Sequence, residues 1–161
     1  MNAQYVTLGA ANEVFGAPVN TVQEILDVRP ITCLPQMPPH MLGIIDVRGE
    51  TIPVIDLRRA LGFADVEDDG NTRIVVIAVA ENGRVATVGV RTDRVFEVTG
   101  LDSDTLEPPA SLGGYWSPGC VAGVGRRNGS FVTVLDFDQL LQKADSLRVG
   151  SRGTPFPGPS S

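Results

Sequence analysis

Lysine, histidine and cysteine are nearly missing from this chain, and each shortage removes a class of function. One lysine, Lys143, stands among 13 basic residues, and the net charge is −6. A nucleic-acid binder neutralises phosphates with a basic face, and arginines scattered through an acidic chain do not make one. The one histidine, His40, and two distant cysteines, Cys33 and Cys120, offer no metal-ligand spacing, so no metal site is expected. Lone thiols without a CxxC are read as free cysteines of a cytosolic protein. The sequence has no Walker loop, no G-x-G-x-x-G and no G-x-S-x-G, so no nucleotide cofactor and no nucleophile elbow are expected. The longest apolar run, Ile74 to Ala80, has 7 residues, against about 20 for a bilayer span. The start MNAQYVTLGA lacks a basic n-region and a long apolar stretch, so neither a signal peptide nor membrane insertion is expected.

What is present is the material of short strands. Hydrophobic residues make up 42% and charged residues 20% of 161 positions, with 18 glycines and 12 prolines. Such a chain folds as one ordinary domain or as two small halves, with many turns. Met41 to Leu61, MLGIIDVRGETIPVIDLRRAL, reads as a hairpin turning at Arg48-Gly49 and running into a helix-like LRRAL. Val121 to Leu141 repeats it at an offset of 80 residues: Gly123 falls on Gly43, Gly129 on Gly49, Val134 on Val54, Asp136 on Asp56 and Leu141 on Leu61. A second echo, at an offset of 73, sets Gly89 on Gly16, Val95 on Val22 and Glu97 on Glu24. The ordered pair of echoes implies two copies of one small β unit.

The rest of the chain reads around these copies. Tyr5 to Gly9 and Glu13 to Ala17 form a strand pair, ended by Pro18, which has no N–H to give to a ladder. Asn20 is an N-cap candidate for one helical turn through Val22 to Glu24. Ala64 to Asn71, acidic and glycine-containing, is the expected exposed connector between halves. Asn82-Gly83 and Asn128-Gly129 are hairpin turns. Asp136 opens a helix whose apolar stripe is Phe137, Leu140, Leu141 and Ala144, with Gln139 completing a capping box.

Candidate chemistry is thin. His40, just after Pro38-Pro39, reads as a partly exposed loop histidine. Asp56 and Asp136 occupy matching places and suggest a carboxylate pair, but each ends a β-run before a helical turn, where a carboxylate caps free N–H groups. Arg58-Arg59 and Arg126-Arg127 read as solvated ends before anion sites. No catalytic residue is assigned, and the chain is not expected to be an enzyme. Ile52 and Val54 on one face, and Ile55 and Leu57 on the other, leave the 52–57 strand apolar on both sides. One side fills a barrel; the other meets a second layer or a partner.

The approach LPQMPPHMLG (Leu34 to Gly43), then R-G-x-x-I-P-V-I-D-L (Arg48 to Leu57), preceded by V-Q-E-I (Val22 to Ile25), resembles the CheW family of bacterial chemotaxis adaptors. The resemblance spans about residues 5–142. It implies an all-β fold: two intertwined five-stranded SH3-like β-barrel subdomains from an internal duplication, with a C-terminal α-helix. The expected layout is a single CheW-like domain over 3–149, with a first barrel near 12–70, a second near 71–136 plus the N-terminal strand, a helix at 136–148 and a disordered tail at 151–161. It further implies a cytoplasmic scaffold without cofactor that joins the cytoplasmic hairpin of chemoreceptors, lying in the groove between the barrels, to the regulatory domain of the histidine kinase CheA, with other CheW copies as further partners. By position the receptor-facing candidates are Val22, Glu24, Gly43, Arg48 and Val98, and the kinase-facing ones Ala17 and Val19. The chain departs from the family at Asp46-Val47-Arg48-Gly49, where Asn commonly precedes Leu-Arg-Gly; a carboxylate replaces an amide and a donor is lost. Alternatives are the scaffold of a chemotaxis-like pathway controlling pili or biofilm, and a small β-barrel ligand-binding or enzyme domain.

The composition of the last eleven residues, SRGTPFPGPSS, buries too little apolar surface to offset its ordering entropy. A chain ending at Gly150 should therefore melt at the same temperature as the full chain, and a clear drop would mean that Phe156 docks on the body.

Overall fold

The computed structural model describes residues 3–108 and 119–141. The expected end of the helix near 148 and the tail from 151 lie outside the described residues. Ten strands are described: β1 (Tyr5–Ala10), β2 (Glu13–Pro18), β3 (Val22–Asp27), β4 (Met41–Val47), β5 (Glu50–Asp56), β6 (Arg73–Glu81), β7 (Arg84–Thr92), β8 (Arg94–Thr99), β9 (Val121–Arg127) and β10 (Ser130–Leu135). A short helix α1 (Leu57–Leu61) follows β5, and residues 137–141 are helical after β10.

Four hairpins set the local geometry, because each tip carries two residues with positive φ: Ala11-Asn12, Arg48-Gly49, Asn82-Gly83 and Asn128-Gly129. That is the turn whose twist matches the strands it joins. Asn and Gly suit it; Ala11 and Arg48 do not. Asn20 does not cap a helix through Glu24. A 3₁₀ turn spans Val19–Thr21 and β3 begins at Val22, because Val22 and Ile25 are claimed by antiparallel pairing with Ile77 and Val75 of β6.

The strands form two five-stranded sheets, β8-β1-β2-β10-β9 and β3-β6-β7-β5-β4. The two are copies, and the echoes identify the matching strands. In one sheet the parallel pair sets Val134 against Gly16; in the other it sets Val54 against Gly89. These are the residues related by the offsets of 80 and 73. A Cβ on Gly89 would come within 3.0 Å of Ile74 and 3.3 Å of Val54, so a side chain there would have to push both neighbours aside by a few tenths of an ångström.

Each sheet rolls into a barrel closed by a matching bridge. The chain after edge strand β3 returns at Thr32 and exchanges hydrogen bonds with Ile44 of the other edge strand, β4. The chain after β8 returns at Glu107 and does the same with Val124 of β9. The duplicated glycines explain how the returning segment fits: a Cβ on Gly43 would lie 2.2 Å from the Thr32 carbonyl, and one on Gly123 would lie 2.8 Å from Leu106.

The two barrels are intertwined, and the division differs from the expected 12–70 and 71–136. One barrel takes all its strands from Val22–Thr92, whereas the other combines β1 and β2 with β8, β9 and β10. The boundary moves because β6 and β7 stay with β3, β4 and β5, so the acidic connector at 64–71 runs within one barrel and does not separate two. Between the sheets lies one shared core, in which Val6, Leu8, Phe15 and Leu135 meet Ile55, Val75, Ile77 and Val90. A smaller core of Leu26, Ile45, Val47, Ile52, Val54, Ile74 and Val76 fills the contiguous barrel. The apolar pairs Val54/Ile55 and Ile74/Val75 thus bury their two faces in two different cores. The doubly apolar strand is explained by internal packing, without a partner.

Because Leu8 is fully buried in the shared core, Leu8→Ala should cost about 3 kcal/mol and lower Tm by roughly 6–12 °C. The melt should remain a single transition; two separated transitions would show that the barrels do not depend on each other.

Candidate functional site

The β4–β5 tip of the contiguous barrel brings together two of the residues singled out by sequence, Arg48 and Glu24. Arg48 stands at the β4–β5 tip with φ 51, its side chain 74% exposed. Its guanidinium forks onto the carboxylate of Glu24 on β3, with Nη1 donating to Oε2 at 3.2 Å and Nη2 to Oε1. This pair ties the tip to the edge strand on the other side of the barrel mouth. Hydrogen bonding from Arg48 holds the Glu24 carboxyl below its ordinary range, and Glu24 raises the arginine in turn. Glu24 is therefore half-buried and paired, where an exposed one-turn segment was expected. Beside it, Arg29 donates to the Asp46 backbone carbonyl at 3.4 Å, and the Asp46 side chain is exposed.

The other assigned residues scatter. Val22 is half-buried against the shared core. Gly43 is buried under the Thr32 carbonyl and offers no side chain, so its local duty is barrel closure. Val98 is 52% exposed, on β8 of the other sheet. Its counterpart in the first copy, at the same offset of 73, is Ile25, 41% exposed. Ala17 is fully buried in the shared core; its proposed kinase contact is corrected, because no surface of that methyl reaches solvent. Val19, on the 3₁₀ turn, is 37% exposed and remains available.

The second copy holds its tip differently. Asp102 accepts the backbone N–H groups of Asn128 and Gly129, both at 2.9 Å, and those bonds lower its carboxyl from the usual range. Glu97, the match of Glu24, lies 3.7 Å from Arg127. No local pattern around Asp102 announces this role, since its partners are 26 and 27 positions away.

The matched aspartates also diverge. Asp136 caps the helix as expected, accepting the Gln139 N–H at 3.1 Å. Asp56 makes no side-chain cap; its Oδ1 accepts from Arg91 Nη1 at 3.1 Å, with both side chains nearly buried. Burial pushes the Asp56 carboxyl up, opposed by the Arg91 charge and hydrogen bond. Position 91 matches Pro18 in the first copy, so Asp136 meets no such arginine. His40 is also corrected: it is 8% exposed, not a partly exposed loop residue. Its carbonyl accepts the Asp56 N–H, just as the carbonyl of the matching Cys120 accepts that of Asp136.

Arg91 organises a charged network that sequence reading missed. Its Nε donates to Asp68 at 2.6 Å and its Nη2 to the Val66 carbonyl at 3.3 Å, pinning the connector. Arg58 on α1 bonds Asp93 through Nε at 3.1 and 3.0 Å, and Asp93 accepts the Ala11 N–H from the β1–β2 turn of the other sheet. Arg58 is thus used structurally, whereas Arg59, paired with Asp65 at 3.0 Å, and Arg126 stay exposed, as expected of solvated ends. Burial alone would raise the Asp93 carboxyl, but the hydrogen bonds from Arg58 and Ala11 and the two nearby guanidinium groups hold it below its ordinary value.

Among the described residues, no group of three His, Cys, Asp or Glu side chains stands together to hold a metal ion. No helix among them is long and apolar enough to cross a membrane. The geometry presents rigid surfaces: an ion-paired tip, edge strands and exposed apolar residues, with Ile25, Val28 and Leu34 at 36–41% exposure along and after β3. Two interlocked SH3-like barrels with such surfaces define a β scaffold of the kind that works through protein contacts.

Comparison with known proteins gives that class its family. Residues 4–145 match the family described as the CheW-like domain, and the chain belongs to it. It is 27% identical over 141 residues to the chemotaxis protein CheW of Helicobacter pylori, covering 87% of this chain and 82% of that protein. It is 32% identical over 132 residues to the protein FrzA of Myxococcus xanthus, covering 80% and 79%. The crystal structure of the scaffolding protein TtCheW from Thermoanaerobacter tengcongensis aligns with a TM-score of 0.76 at 27% identity, over 87% of this chain and 92% of that one. The role of the chain is that of a chemotaxis adaptor.

The charged network predicts a pH dependence. Asp93 has a depressed folded pKa, so its contribution is complete above its unfolded value of about 3.9 and is lost as pH falls through the lower folded value. Asp93→Asn should cost about 1–2 kcal/mol at pH 7. The gap between the two melting temperatures should narrow as the pH approaches 3; a constant gap would show that the charge of Asp93 is not what stabilises.

Proposed function

We propose that this protein is a cytoplasmic, non-catalytic coupling scaffold that joins the helical hairpin tip of a chemoreceptor to the regulatory domain of the histidine kinase CheA. The observation that carries the reading is Arg48. An Asn-Gly tip is better suited to its left-handed backbone, and the second copy has one at Asn128-Gly129. The fold does not require an arginine there, so the strain is kept for what the guanidinium does. Locked onto Glu24, it presents a fixed, planar donor fork at an exposed edge, with remaining N–H groups for a partner's carboxylate or backbone carbonyl. Around it, exposed Ile25 and Val28 supply apolar contact. Val22, Glu24, Arg48 and Val98 stay assigned to the receptor side, Gly43 acts by shaping the barrel edge, and Val19 alone retains the kinase-side assignment.

Arg48→Asn and Glu24→Lys should each leave the melting temperature within roughly 2 °C of wild type, because an ion pair open to solvent contributes little to stability. Each should weaken assembly of the complex with a receptor cytoplasmic fragment and the kinase by about tenfold, read as receptor-dependent kinase autophosphorylation. Intact activation by both variants would sink the role of the pair. A wild-type protein that binds neither partner would sink the coupling reading itself.

A further inference from the structure

A cavity of about 240 Å³ opens between the contiguous barrel and the helical residues after β10. Its walls include Met41 and Ile55 of β4 and β5, Val79 and Val88 of β6 and β7, and Asp138 and Leu141 from the helical residues after β10. It has a history in the duplication. The offset of 73 sets Val88 on Phe15, and the offset of 80 sets Pro53, also in the wall, on Thr133. Thr133 and Phe15 are partners in the parallel seam of one barrel; Pro53 and Val88 take the same register in the other, one step before Val54 and Gly89. Phe15 is buried in the shared core. Where one copy places a phenyl ring, the other has a valine, and space is open beside it.

The size and lining of that space fix what fits. Engineered apolar cavities of about 150 Å³ take up benzene, so this one admits a phenol or an indole but not a drug-sized molecule. The wall is mostly apolar, with polar side chains at two points, His40 and Asp138. Asp138 Oδ1 accepts the N–H of Ala80 at 2.8 Å, and a carboxylate has lone pairs for further donors. A ring carrying an O–H or N–H is therefore favoured over a bare phenyl. Ala80 is exposed, so the cavity can be reached from solvent.

We propose that the cavity is the socket for a single tyrosine or tryptophan side chain of a partner protein, the ring filling the space beside Val88 and its polar hydrogen reaching Asp138. This rests on the adaptor reading, in which the molecule acts through protein contacts, and single aromatic anchors in such sockets dominate interface energies. The partner's ring takes the place that Phe15 fills from within the chain in the other copy.

The experiment uses the full chain with p-cresol and indole as probes, beside Val88→Phe, which restores the ring of the other copy, and Ala80→Leu, which narrows the mouth from an exposed position. The probes should raise the Tm of the wild type and not that of either variant. Both variants should bind the kinase regulatory domain or the receptor fragment about tenfold more weakly than wild type. Absence of any probe-dependent rise in the wild type overturns the socket. Probe binding lost in both variants while both partners still bind normally overturns the protein occupant and leaves the cavity to a free small aromatic. A wild type that takes up the probes but binds neither partner overturns the adaptor reading, and the assigned occupant with it.

Discussion

Assembly of the two sheets depends on a pair of parallel seams, β2 with β10 and β5 with β7. The second joins strands about thirty residues apart in the chain, whereas the first joins the N-terminal hairpin to the last one. One barrel can therefore close from a continuous segment, but the other exists only when both ends of the domain have met. The long closure carries an entropy cost that local contacts do not offset. The shared core does so, since Val6, Leu8 and Phe15 from the N-terminal strands bury against β6 and β7 of the contiguous barrel.

Duplication then explains which features are common and which have separated. Glycines recur where backbone passes closest, at the seams and under the returning segments. Charged and polar positions diverged because their partners lie on other strands. Asp56 and Asp136 have the same backbone bond immediately before the same kind of helix. Only Asp56 faces an arginine from β7, and it gives up capping for an ion pair. The buried Arg91–Asp56 pair is tolerated because Asp68 and the Val66 carbonyl complete the guanidinium's bonds, which answers the desolvation that isolated buried pairs incur. In the same way one tip is held through its side chain, by Glu24, and the other through its backbone, by Asp102.

Two apolar faces per strand leave little for partners. With β5 and β6 buried on both sides, contact surfaces are confined to tips, edge strands and the junction between barrels. This constraint gives the exposed tip residues their weight and makes Ala17, for all its place near the N-terminal turn, part of the interior.

The sequence by itself determined the two copies, the hairpin tips and the left-handed strain at Arg48, because turn chemistry and glycine spacing act within a few residues and repeat at fixed offsets. It also carried the motif around Arg48 to Leu57 by which the family is recognised. Tertiary structure alone decided which strands share a barrel, that Gly43 serves closure, that Arg91 gathers Asp56 and Asp68, and that space opens beside Val88. Those outcomes depend on pairing between strands from distant parts of the chain. A residue's burial and partners are then set by which strand arrives beside it, and local sequence does not specify that arrival.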